Sequence, residues 1–494
     1  MRYIGAVSRR SLRLTLVAVG VTALLGVPPA GAEPVGKISR SVQVSNCKSQ
    51  NAEVEEAVDH RYVYDLWMGC TWIGFARSTD GGQSFGPSLT VPGSFSATNP
   101  GSYAWDPAIT VAPNGVVYAA FMFFNADTQA SYPVVAASFD HGASFTQVSS
   151  LPIPPFTDPE GNWGDRDFIA VAPDGTVYVT WDYGPSESEM QFICSPTGSC
   201  GFGAGDLNVV IQKSIDGGRT WTAIHQVSPG FPIGGADLAP IVVQSDGTVD
   251  VLYQRYPTDP TTLVFSPGGE YFTRSSDAGE TWSTPLKVGP GVGTESLSEW
   301  WIDSSLGTDA AGNLYATWDT QSSTSDVGWL SYSTDGGAKW SPAIRVTPSQ
   351  GNAEQLVEVT GAGPGLAYVA WQTPAAPQGY ATYLRPFSIQ RGWLTPAPLQ
   401  VSDKFGDPNI WPGDTFGLAT LGGSGLSHVR PPAVLSWGSA VNGRNRSEIF
   451  SSVVSLGSGS TGDGTAVAPQ PAEAGGGTAT EKTLPPGTRP LHHR

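Results

Sequence analysis

The stretch Ser78-Thr79-Asp80-Gly81-Gly82-Gln83-Ser84-Phe85 decides the reading of the fold, because its Ser-x-Asp-x-Gly-x-x-aromatic pattern returns four more times. The copies run from Ser138 to Phe145, Ser214 to Trp221, Ser275 to Trp282 and Ser333 to Trp340. Their aspartates stand at 80, 140, 216, 277 and 335, a spacing of roughly 60 residues that suits one four-stranded unit of a repeat protein. The residue types are those of a tight turn between strands. Glycine supplies positive φ, the carboxylate accepts backbone N–H groups across the turn, and the aromatic pins the turn by burial. Asp80, Asp140, Asp216, Asp277 and Asp335 are therefore expected to be structural, not catalytic.

A second motif precedes each copy. An apolar strand, a turn with Gly, Asn or Asp, and a strand ending in an aromatic recur at Ile109 to Tyr118, Ile169 to Trp181, Ile241 to Tyr253 and Leu306 to Trp318. Such alternation around a Gly-containing turn is a hairpin signature. Weaker copies at Val54 to Trp67, Val357 to Trp371 and Phe416 to Trp437 bring the hairpins to seven. The sixth is followed by a degenerate turn motif at Ser388 to Trp393, the seventh by none. The expected fold is all-β, a β-propeller of four-stranded blades, seven-bladed with six as the alternative. Outer strands such as Ile344 to Pro348 and Leu399 to Asp403 end alike, and the same ending occurs once before the first hairpin, at Val42 to Asn46. This N-terminal strand is expected to close the last blade, whose third strand is Ile449 to Ser455, so that no edge stays open.

The repeats resemble the Asp boxes, or bacterial neuraminidase repeats, of the sialidase-like β-propeller superfamily, over most of residues 40–455. That superfamily includes sialidases, other glycoside hydrolases and non-enzymatic binding proteins. The resemblance implies the fold; activity is carried by loops placed on it. No strand of the sialidase Phe/Tyr-Arg-Ile-Pro type opens the repeats, and seven blades exceed the six usual there.

The flanks frame the domain, taken as 37–456. Arg2, Arg9, Arg10 and Arg13, an apolar run from Leu14 to Val27 and a small-residue site at Ala30-Gly31-Ala32 read as an export signal over 1–32. Ser8 to Arg13 also suits a twin-arginine signal. Residues 457–494 are rich in Gly, Pro, Ser and Thr and are expected to be a disordered tail. Without the four signal arginines, 22 basic residues face 43 acids, a net charge of about −21. Such a balance disfavours nucleic acid and anionic membranes as partners. No later stretch is long and apolar enough for a transmembrane helix. A secreted, extracellular bacterial protein is expected, without membrane anchor and as a monomer. Its four cysteines suggest two disulfides: Cys194 and Cys200 close a short loop, leaving Cys47 with Cys70. A metal site is the other use of cysteines, but the spacing matches no zinc pattern, and no cofactor is expected.

Chemistry is sought on the face opposite the repeated turns, where four loops combine Trp with acid. They are Tyr103 to Asp106, Asn162 to Asp167, Glu299 to Asp303 and Asn409 to Asp414, with Glu354 at the matching place between the last two. Aromatic faces stack on sugar rings, and paired carboxyls cleave glycosidic bonds. Asp165, Asp167, Glu299 and Asp303 are the candidate catalytic acids. Arg166, Trp105, Trp163, Trp301 and Trp411 are the candidate substrate-binding groups. Each also has a structural reading, as an inter-blade hydrogen-bonding acid, an ion pair or a Trp wedge. Tyr183, Tyr256 and Tyr383 are available should a tyrosine serve as nucleophile, as in some sialidases. Two functions remain open: a sialidase-like hydrolase acting on an extracellular glycan, or a non-catalytic propeller that binds glycan or protein.

Overall fold

The computed structural model describes residues 35–194, 200–204, 206–229, 234–257, 269–290, 304–321, 326–347, 355–375, 379–422, 430–441 and 443–456. The expected export signal and C-terminal tail lie outside them. So do Glu299, Trp301, Asp303 and Glu354.

Among the described residues every regular element is a strand, and no helix is long and apolar enough to cross a membrane. The strands form antiparallel groups of about four. The first comprises Ala52–Asp59, Tyr62–Met68, Ile73–Ser78 and Leu89–Thr90, here called the 52–90 sheet. The 103–150, 163–226, 234–290, 304–345 and 355–400 sheets repeat the plan, except that 163–226 and 234–290 are joined into one sheet by a short parallel pairing of Asp206 and Leu207 with Gly234 and Gly235. In the 417–456 sheet, Gly417–Thr420, Ala433–Ser439 and Glu448–Leu456 are joined by strands from the other end of the chain. There Val42 stands opposite Ser451, and Val35 opposite Leu456.

The first strands pack side by side in chain order, and Gly417–Thr420 touches both Gln355–Gly363 before it and Ala52–Asp59 at the start. The succession thus returns on itself, as in a β-propeller. Second strands lie between neighbouring sheets and are apolar on both faces. Val117–Asn125, for example, is buried from Val117 to Phe123. Apolar clusters fill each junction between sheets.

The five repeated turns share one hydrogen-bond scheme. The serine hydroxyl donates to its aspartate at 2.7–2.9 Å. It accepts the N–H of the glycine four residues on at 2.8–2.9 Å, while the aspartate accepts the N–H four residues beyond itself at 2.9 Å. These bonds favour the ionised carboxylate. Asp140 is held down at about 2, chiefly by Ser144. The aromatics do more than pin their own turns, for they pack on the preceding sheet. Phe145 meets Phe75 edge to face at 4.9 Å, Trp340 meets Phe272 at 5.2 Å, and the Trp221 indole donates to Ser149 at 2.9 Å. The glycine that donates to the serine fits the same junction. At Gly337, with φ +82°, a Cβ would stand 2.1 Å from the Phe272 ring.

One expectation about placement changes. Tyr103 to Asp106 and Trp163 to Asp167 are not loops but the opening residues of strands Tyr103–Val111 and Trp163–Val171. Both Trp residues are buried, Trp105 in the apolar cluster between two sheets and Trp163 against Leu207, and that burial extends the ladder beyond the apolar run seen in the sequence.

A disulfide joins Cys47 to Cys70 across 23 positions, tying the N-terminal segment to the 52–90 sheet. Cys194 and Cys200 stand opposite each other on a two-stranded ribbon. Their expected bond, and the loop between them, lie outside the described residues.

Candidate functional site

Several first strands begin with a β-bulge. Register slips between Ala52 and Val54, Trp105 and Pro107, and Asp165 and Phe168. The extra residue in each is left-handed: Glu53 (φ 49°), Asp106 (φ 44°) and Arg166 (φ 46°). Bulges re-aim side chains, and left-handed backbone at three non-glycine residues is a strained arrangement. Asp414 arrives from the segment before Gly417–Thr420. Gly413 precedes it at φ +113°, so close to the first bulge that a Cβ would stand 2.1 Å from the Glu53 nitrogen.

These side chains converge. One carboxyl oxygen from each of Glu53, Asp106 and Asp414 lies within 4.8 Å of the others. Arg166 binds two of them: its backbone N–H donates to Asp106 at 3.0 Å and its guanidinium meets Asp414 at 3.1 Å. Asp165, half-buried beside them, accepts the Trp105 indole N–H at 2.7 Å. Burial pushes the Glu53 carboxyl well up, helped by the charges of Asp414 and Asp106 and opposed by Arg166. Asp106 is likewise pushed up by burial, then by Asp165, with Arg166 opposing.

Asp167 points elsewhere. It is 4 % exposed, and burial raises its carboxyl well above the usual range despite the backbone N–H groups of Asp167 and Met122. It lines a cavity of about 410 Å³ bounded by the first strands, whose polar lining includes Glu55, Asp106, Arg166, Glu358 and Thr415. Behind the site, Asp182 accepts the Leu238 N–H at 3.2 Å and is raised by burial and then by Asp237.

Arg166 and Asp167 thus line the cavity, while Asp165 stands beside the acid cluster, bonded to Trp105. Trp105, Trp163 and Trp411 are buried; Trp105 is tied to Asp165, Trp163 packs on Leu207, and Trp411 lies in the core shared by the 52–90, 355–400 and 417–456 sheets. Tyr183 packs edge to face on Trp181 and Tyr383 stacks on Trp371, both away from the cluster, and the Tyr256 side chain lies outside the described residues. Glu53 is the member that sequence reasoning missed altogether. Asp106 and Asp414 were noticed only as parts of Trp-rich segments. A signal existed for Asp106, which stands 60 positions before Arg166 at the same step of the repeat.

No family model and no curated protein matches the chain. Solved structures do. The ulvan lyase of polysaccharide lyase family PL25 aligns with a TM-score of 0.52 at 11 % identity, covering 82 % of this chain and 94 % of its own. A K499G mutant of the NanB sialidase from Streptococcus pneumoniae gives 0.48 at 9 % identity, covering 81 % and 85 %. The Penicillium chrysogenum alpha-L-arabinanase complexed with arabinobiose gives 0.45 at 13 % identity, covering 71 % and 92 %. At such identities the likeness is one of fold. The chain is an all-β propeller.

Proposed function

We propose that this is a secreted, sialidase-like carbohydrate-active hydrolase that acts on an extracellular glycan. The single observation that carries the reading is the split environment of the two acids flanking Arg166. Asp167 is buried and held toward its protonated form, whereas Asp165 is half-buried and bonded to an indole N–H. Two carboxyls in unlike surroundings are what general acid and base roles at a glycosidic bond require. Asp167 then delivers a proton to the leaving oxygen, and Asp165 assists attack at the anomeric carbon. Arg166 orients the site through Asp106 and Asp414. Glu299 and Asp303 complete the proposed acid set and Trp301 the proposed sugar-binding groups; all three lie outside the described residues. Trp105, Trp163 and Trp411 contribute by shaping the walls.

The same reading takes the sheets as seven Asp-box blades closed by the N-terminal strand, within domain limits of 37–456. It is supported by the pairing of Val42 with Ser451 and by the contact of Gly417–Thr420 with Ala52–Asp59. An export signal over 1–32 and the Cys47–Cys70 disulfide suit an oxidising compartment.

The test is a hydrolysis and binding screen of residues 33–494 over a broad glycan panel, with Asp165→Asn and Asp167→Asn. Turnover falling about 10²–10⁴-fold in both variants, with circular dichroism unchanged, is expected for an acid–base pair. Binding without turnover across the panel makes the chain a binding module instead.

A further inference from the structure

We propose that Glu53, Asp106 and Asp414 form a binding site for a divalent cation of the Ca²⁺ type, which ties the 52–90 and 103–150 sheets to the 417–456 sheet. The site adjoins Asp165, which interacts with Asp106, but its donors are other residues than the Asp165 and Asp167 pair, and cation binding stands whether or not the chain turns over a glycan.

The donor atoms are all carboxyl oxygens, the set preferred by hard cations. Their spacing suits the ion. Atoms within 4.8 Å of one another all lie within roughly 2.8 Å of a common centre, so inward shifts of a few tenths of an ångström reach the 2.3–2.6 Å range of Ca²⁺–oxygen bonds. Mg²⁺ demands about 2.1 Å and near-ideal octahedral geometry, which donors on three separate sheets meet less readily.

A second observation points to a ligand. Glu53 is 4 % exposed, and its Oε2 is buried and receives no hydrogen bond from any N–H or O–H donor; the side-chain hydrogen bond of this carboxyl is with Asp414, another acid. Asp414 Oδ1 is in the same condition. A buried carboxylate oxygen without a partner is costly, and both belong to the carboxyls that face each other here. Arg166 supplies one positive charge, already directed at Asp414 Oδ2. It leaves the cluster with more acid than base. The backbone is also shaped for the convergence, since Glu53 and Asp106 adopt left-handed φ and Gly413 allows the close approach that delivers Asp414.

The full chain, freed of metal with EDTA, would be titrated with Tb³⁺ while exciting tryptophan; Trp105, adjacent in sequence to Asp106, is a suitable donor. The expected result is saturable luminescence at one ion per chain, displaced by Ca²⁺ at concentrations at least about tenfold lower than by Mg²⁺. Ca²⁺ should also raise the melting temperature of the metal-free protein. Glu53→Gln and Asp414→Asn should each weaken Tb³⁺ binding at least about tenfold. No saturable signal in the wild-type chain, or a signal unchanged in folded forms of both variants, overturns the site. Should neither variant fold, the wild-type result decides: stoichiometric binding with a Ca²⁺-dependent rise in melting temperature supports it, and the lack of either refutes it.

Discussion

Raising the pH from 5 to 8 should destabilise the fold through one buried pair, and Glu56→Gln should remove that part of the loss. Glu56 on Ala52–Asp59 stands opposite Asp65 on Tyr62–Met68, and Ser436 of the 417–456 sheet donates to Glu56 Oε2 at 2.6 Å. The two acids are only 8 % and 0 % exposed. Burial raises Glu56 from 4.5 to about 7, opposed by hydrogen bonds from Ser436, Asp65 and the Ala419 backbone. Asp65 is also raised well above the usual range, by burial and then by Glu56. The pair titrates as a unit and binds its proton more tightly when folded than when unfolded. The part that belongs to Glu56 is therefore complete below about 4.5, declines as pH rises, and is lost above about 7. At about 1.4 kcal/mol for each tenfold change in proton affinity, the loss is on the order of 3 kcal/mol. Urea unfolding of wild type and Glu56→Gln at pH 5 and pH 8, with EDTA throughout, measures it. The stability difference should move in favour of the variant by up to about 3 kcal/mol between the two pH values. A difference that stays constant, or moves toward the wild type, refutes the reasoning.

Other consequences are open to simpler measurements. Asp140→Asn should lower the melting temperature at pH 7, because the folded turn favours the ionised carboxylate. The penalty should vanish as pH falls through about 2, where the wild-type group is protonated too. Reducing Cys47–Cys70 should destabilise by about 2–4 kcal/mol, read as a shift in urea midpoint with and without dithiothreitol; an unshifted midpoint would mean that the N-terminal segment is held by strand pairing alone. Deleting residues 37–46 should lower the melting temperature sharply, since Val42 and Gln43 pair with Ser451 and Phe450. An unchanged melt would rule out closure by this strand.

What could be read from the amino-acid sequence was local. The Ser-x-Asp-x-Gly turns are held by bonds spanning two to four residues, so the bonding atoms lie inside the motif itself. The hairpins were legible for the same reason. The site was less so, because its geometry rests on bulges at Glu53, Asp106 and Arg166, none of which is the glycine that normally advertises a left-handed backbone. Arg166 and Asp414 meet across 248 positions, a contact that ring closure creates and no local pattern announces. The tryptophans posed a different difficulty. A Trp beside an acid is written identically whether it stacks on sugar or wedges between sheets, and only packing distinguishes Trp105 as the latter.

The turn aromatics carry a consequence for how this architecture can be cut and rejoined. Phe145 completes the packing of Phe75, and Trp340 that of Phe272, each from the sheet that follows. A module excised at sheet boundaries would therefore lose its lid and keep a plug with nothing to fill. The transferable unit is offset from the sheet by one turn, and chimaeras built on that staggered boundary should preserve every wedge with its own socket.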